Sequence, residues 1–290
     1  MTTRRKIAYG ILAAYIGLFV LALIAFGSEG KNNEFKLDTW FSIGPLKFNK
    51  AVLYLILAAL FTVWTMVYVA RRMQQRPNRV QTAVETIYGF MRDNITRGNM
   101  EDRMAAKWFP FLGALFLFIW YSNLIGFIPL PTNTEEKFNL FGANIPSFAI
   151  YAATANLSIP LSFALVVFIS YTVEGIRAKG PGGYLKSLIP HGVKGAMAGF
   201  IFVLELLSNL MRIVSLSVRL FANMLAGHLI ILFMAGGMAI LLGIAAIGVF
   251  LLPLGFAVYI FEVGLVATLQ AFIFATLSAI YLGGSVAESH

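Results

Sequence analysis

Ile7–Phe26, Ala51–Ala70, Trp108–Leu130 and Phe148–Val173 of this 290-residue chain each run for twenty residues or more without a charged side chain. Each is long enough to cross about 30 Å of hydrocarbon as an α-helix. A helix also satisfies its own backbone hydrogen bonds, which lipid cannot do. Composition agrees. Hydrophobic residues make up 59% of the chain and charged residues 12%, about half the usual charged share of a globular domain. A disordered chain, a collagen and an ordinary soluble enzyme are excluded. The absence of cysteine removes a disulfide scaffold, thiolate metal sites and cysteine nucleophiles. What remains is an all-α polytopic membrane protein.

Two further segments differ from the first four. Gly199–Ala235 is apolar but carries Glu205, Arg212, Arg219 and His228. Met238–Leu282 runs 45 residues with one charge, Glu262. At about 1.5 Å per residue this exceeds one perpendicular crossing. It is either two spans broken near Pro253 or one long, strongly tilted helix.

Counting basic residues gives the orientation. With the N-terminus inside and six alternating spans, fifteen Lys and Arg fall inside, five fall outside, and Arg212 and Arg219 lie in the membrane. That bias satisfies the positive-inside rule when each of the last two segments counts as one span, and it puts the C-terminus inside as well. The net charge of +9 is then a matter of topology, and nucleic-acid binding is dropped. Arg4-Arg5-Lys6, the apolar run and Ala25-Phe26-Gly27 are compatible with a signal peptide. The run exceeds the usual apolar core of about 7–15 residues, which favours a retained helix. Both alternatives place residue 28 outside.

Val80, Val84, Ile87, Tyr88, Met91 and Ile95 recur at helical spacing beside Arg79, Arg92 and Arg97. They predict one amphipathic helix, either on the inner membrane surface or packed beneath the membrane domain. Gly180-Pro181-Gly182-Gly183 predicts a turn, and without a following Gly-Lys-Ser/Thr it is no nucleotide loop. No internal repeat marks an inverted-repeat transporter.

Charges inside a bilayer cost at least about 2.5–3.5 kcal/mol each, so their pattern carries function. Glu205, Ser208, Arg212, Ser215, Arg219, Ala222 and Ala226 follow steps of three and four, and Asn223 stands four after Arg219. One seam of this helix is polar and small, and it must face protein or water. Glu205 and Arg212 are two turns apart and can share a partner, an internal ion network being the alternative to a channel role. Arg219 has no acidic residue within one turn. An arginine stays protonated, so Arg219 needs an anion, and a partner chain can supply it. His228 and Glu262 are the other titratable pair. They are either a hydrogen-bonded core histidine and its neighbour or a proton-passing pair, with Gln270, Asn223 and Ser215 available to hold water.

The run Ser215-Leu-Ser-Val-Arg219-Leu-Phe-Ala-Asn223-Met-Leu-Ala-Gly227-His228 resembles the signature of the F-type ATP synthase subunit a family. Thr268-Leu-Gln270-Ala-Phe-Ile-Phe274 and Tyr281 resemble the family's last helix. Val80-Gln81-Thr82-Ala83-x-Glu85 and Asn123 before Pro129 resemble its earlier segments. The resemblance covers about Thr39 to His290, so 39–290 is read as the proton-channel domain and 1–38 as an added membrane helix or leader with an external segment.

The resemblance implies a stator subunit that clasps a ring of c subunits with a pair of long tilted C-terminal helices. About six transmembrane helices are then expected in all. It implies that Arg219 is the essential cation facing each c-ring carboxylate between two offset proton half-channels. Glu205, Arg212 and Ser215 belong to this path, the first two toward the cytoplasmic mouth. Asn223, His228, Gln270 and Glu262 belong to the outer half. Ala222, Ala226 and Gly227 are implied to pack against the ring. The implied partners are the c-ring, peripheral stalk subunit b, the rest of the ATP synthase and membrane lipid. No cofactor or metal is implied, no catalysis by the chain itself, and the expected location is a bacterial inner membrane.

The chain departs from the family's pattern at several positions. Glu262 stands eight residues before Gln270, where the pattern suggests seven. Gly126, Asn156 and Ser158 stand where many members carry acidic or amide groups, so Glu135, Glu136 or Glu262 are candidates to compensate. Two readings from other classes are weighed against this one. A stand-alone transporter or channel predicts ion flux from the isolated chain. An intramembrane enzyme needs a Ser–Lys or Asp–Asp pair in adjacent spans, or HExxH, and the sequence has none.

Overall fold

The computed structural model describes residues 39–43, 46–72, 79–140, 143–189, 193, 195–234 and 245–287. The run Ile7–Phe26 and the segment 1–38 lie outside the described residues. A short antiparallel hairpin of β1 (Thr39–Ile43) and β2 (Leu46–Asn49) leads into α1 (Lys50–Arg72). Asn49 caps that helix, its Oδ1 accepting from the Val52 N–H at 3.1 Å. The amphipathic segment forms α2 (Arg79–Phe90), which widens into a π-helical stretch, Met91–Arg97, before α3 (Asp102–Gly126). A second hairpin pairs β3 (Leu130–Leu140) with β4 (Ala143–Ala149). The membrane helices that follow are α4 (Ser158–Ser187) and α5 (Ala196–Leu232). After α6 (Ala245–Phe261), a π turn at Glu262–Val266 passes directly into α7 (Ala267–Val286).

Five helices are long and apolar enough to cross a membrane: Lys50–Arg71, Asp102–Gly126, Ser158–Ser187, Met197–Leu232 and Pro253–Val286. The chain is an all-α polytopic membrane protein, and the two hairpins are additions the sequence did not predict. The question left open at Pro253 resolves as one helix. The backbone stays helical from Ala245 to Val286, with Pro253 inside it. A proline forfeits one backbone bond there, which a membrane helix tolerates. α5 has 37 residues, about 56 Å of helix, so it crosses a core of about 30 Å only at a steep tilt. The predicted turn narrows to Gly180, whose φ of +72° is open to glycine, and the helix resumes at Pro181.

The main core lies among α3, α4, α5 and α7. Leu112, Ile119, Val167, Leu220 and Met224 are buried there. Ala267, Ala271, Ala275 and Ala279 repeat every fourth residue of α7 and are fully buried, so neighbouring helices approach it closely. Met91 and Ile95 are part of the same core, whereas Ile87, Tyr88 and Phe90 stay exposed. The amphipathic segment is therefore packed against the bundle at its C-terminal end. A second cluster seats α1 through Ala51, Tyr54 and Ala58 on Ile125 and Tyr151. Leu60, Val63, Trp64, Ile169 and Leu206 point outward, as lipid-facing residues do.

Candidate functional site

The polar seam of α5 is where the sequence places it. Ser208, Ser215, Arg219, Ala222 and Ala226 are all exposed, and Leu220 and Met224 on the opposite face are buried. Among the described residues, Arg219 has no hydrogen bond or ion pair. The nearest ionisable side chains along the helix lie about 10 Å toward the N-terminus, at Arg212, and about 13 Å toward the C-terminus, at His228.

The N-terminal group surrounds a half-polar cavity of about 340 Å³ lined by residues of α4, α5 and α7. Arg212 Nη2 stands 3.5 Å from Glu205 Oε1, both side chains partly exposed. The Arg212 guanidinium also lies 5.1 Å above the Tyr281 ring. Asn209, four residues after Glu205, is buried and lines the same cavity. It donates to the Glu205 carbonyl at 3.1 Å and receives the Tyr171 hydroxyl at 3.4 Å. Two cations, Arg212 and Lys179, a carboxylate, an amide and three tyrosines thus line one open pocket.

The C-terminal group is drier. His228 is fully buried, stacked on the Phe127 ring at 4.7 Å. Its Nδ1 lies 2.9 Å from the Met224 carbonyl oxygen and its Nε2 3.2 Å from that of Gly126. A neutral imidazole has one N–H and can serve only one of these acceptors at a time. Glu262 opens the π turn and is buried against Gly227, where an added Cβ would meet its carboxyl carbon at 2.8 Å. His228 and Glu262 are thus neighbours without a hydrogen bond between them. Glu262 Oε2 has no partner among the described residues, and neither does Asn123 Nδ2, whose Oδ1 accepts from Thr154 at 2.9 Å. Buried polar atoms of this kind are ordinarily met by water.

Residues 52–283 match the family described as ATP synthase A chain. A relative named ATP synthase subunit a, from Bradyrhizobium diazoefficiens, is 33% identical over 268 residues, covering 89% of this chain and 98% of its own length. One of the same name from Sinorhizobium medicae is 37% identical, over 72% of this chain and 76% of its own. Another from Maricaulis maris is 33% identical over 84% and 91%. The chain belongs to the ATP synthase A chain family.

Within this ATP synthase A chain fold, Asn223 is half-buried and Gln270 is buried on α7. Gly227 is buried under Glu262, whose carboxylate occupies the space a side chain would need, whereas Ala222 and Ala226 are exposed. The side chains of Glu135 and Glu136 lie outside those described. Among the described residues, no three His, Asp or Glu side chains group as metal ligands.

Sequence reading missed Asn209, Tyr171 and the Lys107–Glu174 pair. Asn209 carried a signal, one turn beyond Glu205 on the flank of the seam. Glu174 stands one residue past an uncharged run, is buried in α4 and is ion-paired with Lys107 of α3. Its partner is distant in sequence, so only the packing of α3 on α4 reveals the pair.

Proposed function

We propose that the chain is subunit a of a rotary F-type ATP synthase, the stator half of its proton path. The observation that carries this reading is Arg219, an exposed cation on a seam of small residues with no counter-ion among the described residues. A permanent cation in the membrane demands an anion, and a passing c-ring carboxylate supplies one. Next to Arg219 such a carboxylate favours its charged form and gives up its proton. Arg219 also blocks direct proton passage between the two polar groups. Ala222 and Ala226 let ring helices come close.

Glu205, Arg212 and Ser215 form the cytoplasmic half-channel, with Asn209, Tyr171 and Tyr281 added to it. Asn223, His228, Glu262 and Gln270 form the outer one. Each proton crossing 100 mV delivers about 2.3 kcal/mol, so several drive one ATP. The chain itself does no bond chemistry and needs no cofactor. Its partners are the c-ring, peripheral stalk subunit b and the remaining synthase. Its location is a bacterial inner membrane, with residues 39–290 as the channel domain and the C-terminus inside.

The test is ATP-driven proton pumping by inverted membrane vesicles. Arg219→Ala is expected to abolish it with the complex still assembled. Pumping at the parental level would overturn the reading.

A further inference from the structure

The two peptide planes that close α3 have a partner at each of their four polar groups. The Phe127 N–H donates to the Leu124 carbonyl at 3.2 Å, and the Ile128 N–H to that of Ile125 at 3.0 Å. The last carbonyls of a helix have no partner within it. Here they are met from other helices. The Gly126 carbonyl oxygen lies 3.2 Å from His228 Nε2 on α5, and the Phe127 carbonyl accepts from the Tyr259 hydroxyl on α6 at 3.0 Å.

The Phe127 side chain is held in the same way. It is fully buried, stacked on the imidazole at 4.7 Å and 26°, and the Tyr259 ring stands edge-on to it at 6.0 Å and 89°. Phe127 thus links the tyrosine to the histidine through both its backbone and its ring. Three residues after Tyr259, Glu262 rests on Gly227, the residue before His228.

The consequence falls on the imidazole. Its Nδ1 faces the Met224 carbonyl at 2.9 Å, which its own helix fixes in place. Its Nε2 faces the Gly126 carbonyl, whose position depends on how the end of α3 is held. A neutral ring has one N–H for these two acceptors, so the placement of each carbonyl decides which nitrogen carries the proton. Without the Tyr259 hydroxyl, the Phe127 carbonyl becomes an acceptor with no donor, which is costly inside a protein. The end of α3 then shifts to find one, and the planar peptide before it turns as a unit.

We propose that Tyr259 is a positioning residue of the outer half-channel, acting through Phe127 to hold the Gly126 carbonyl and the Phe127 ring against the His228 imidazole. This rests on the proposed function, because His228 matters to flux only if the outer half-channel runs here. Tyr259 carries no proton along the path, since its own is committed to the Phe127 carbonyl.

Tyr259→Phe removes the hydroxyl and keeps the ring, and two readouts test it. In assembled complexes, ATP-driven pumping by inverted vesicles is expected to fall severalfold. In the full chain, labelled with nitrogen-15 histidine and reconstituted in lipid, the ring-nitrogen signals of His228 are expected to move as the Nε2–H share falls in favour of Nδ1–H. The chain has two other histidines, His191 and His290, and the signals lost in His228→Gln identify those of His228. A tyrosine that only packed α6 against α3 would change the amount of folded chain without moving these signals.

Unchanged His228 nitrogen signals in Tyr259→Phe overturn the inference, as does parental pumping by the assembled complex. Tyr259→Leu removes the ring as well and is expected to slow pumping further. If neither variant accumulates, the tyrosine serves folding, and the inference falls. Arg219→Ala separates the two levels. If that variant pumps, the proposed function fails. If it is blocked while the nitrogen signals of Tyr259→Phe stay unchanged, only the positioning role fails.

Discussion

Glu262 rests on Gly227: a Cβ built at residue 227 would meet the glutamate's carboxyl carbon at 2.8 Å. The acid reaches the α5 backbone only because the residue before His228 has no side chain. Gly227→Ala is therefore expected to displace Glu262, at an overpacking cost of about 1–3 kcal/mol. Pumping should fall severalfold with the complex still assembled. Parental pumping rates from Gly227→Ala would show that the contact has no part in flux.

Gly126 presents a similar constraint at the end of α3. A Cβ there would lie 2.7 Å from both Cα and Cβ of Ala152. Introducing an acidic residue here is expected to damage the fold instead of enriching the channel. Gly126→Asp should lower the amount of chain in the membrane, and Ala152→Gly should rescue it only partly, because the backbone contact stays. Full accumulation of Gly126→Asp would contradict this.

The Lys107–Glu174 pair joins α3 to α4 with the carboxylate buried and the lysine half exposed. Removing the lysine leaves a buried charge unmet. Lys107→Met is expected to destabilise the chain by about 2 kcal/mol, less than for a fully buried pair because water reaches the lysine. The double variant Lys107→Met/Glu174→Leu should recover most of that loss. A thermal-shift series on detergent-solubilised chain measures it, and strict additivity would rule the coupling out.

Arg212 is held from two sides, by Glu205 and by the Tyr281 ring. Tyr281→Leu keeps an apolar side chain and removes the ring face, which is worth about 0.5–2 kcal/mol to the cation. Expected are a slower pumping rate and a pH dependence altered on the cytoplasmic side only. Tyr281→Phe should behave as the parent. A loss with Phe as large as with Leu would assign the effect to the hydroxyl instead.

How much of this was legible in the sequence follows from the range of each interaction. Three of the five candidate spans overlap uncharged runs read directly from the sequence, Ala51–Ala70, Trp108–Leu130 and Phe148–Val173, because lipid imposes length and composition locally. The seam from Glu205 to Ala226 could also be read in advance, because helical periodicity alone decides which side chains share a face. Glu174 could not be assigned a partner, since Lys107 is 67 residues away and no spacing rule links them. His228 and Glu262, whose pairing the sequence left open, share no hydrogen bond among the described residues. The Met224 and Gly126 carbonyls reach the imidazole first, and the second of these comes from another helix.

The same division holds at Pro253 and at residue 262. A proline in an apolar run is compatible with a break or a continuous helix, and only packing chooses between them. Sequence counting assumes a constant helical pitch, and at Glu262–Val266 the helix widens into a π turn. The fold varies the pitch. By itself the sequence determined the membrane class, the helix faces and the lone arginine, because these follow from local chemistry and period. The tertiary structure alone decided which buried groups meet, because that depends on contacts between helices far apart in the chain.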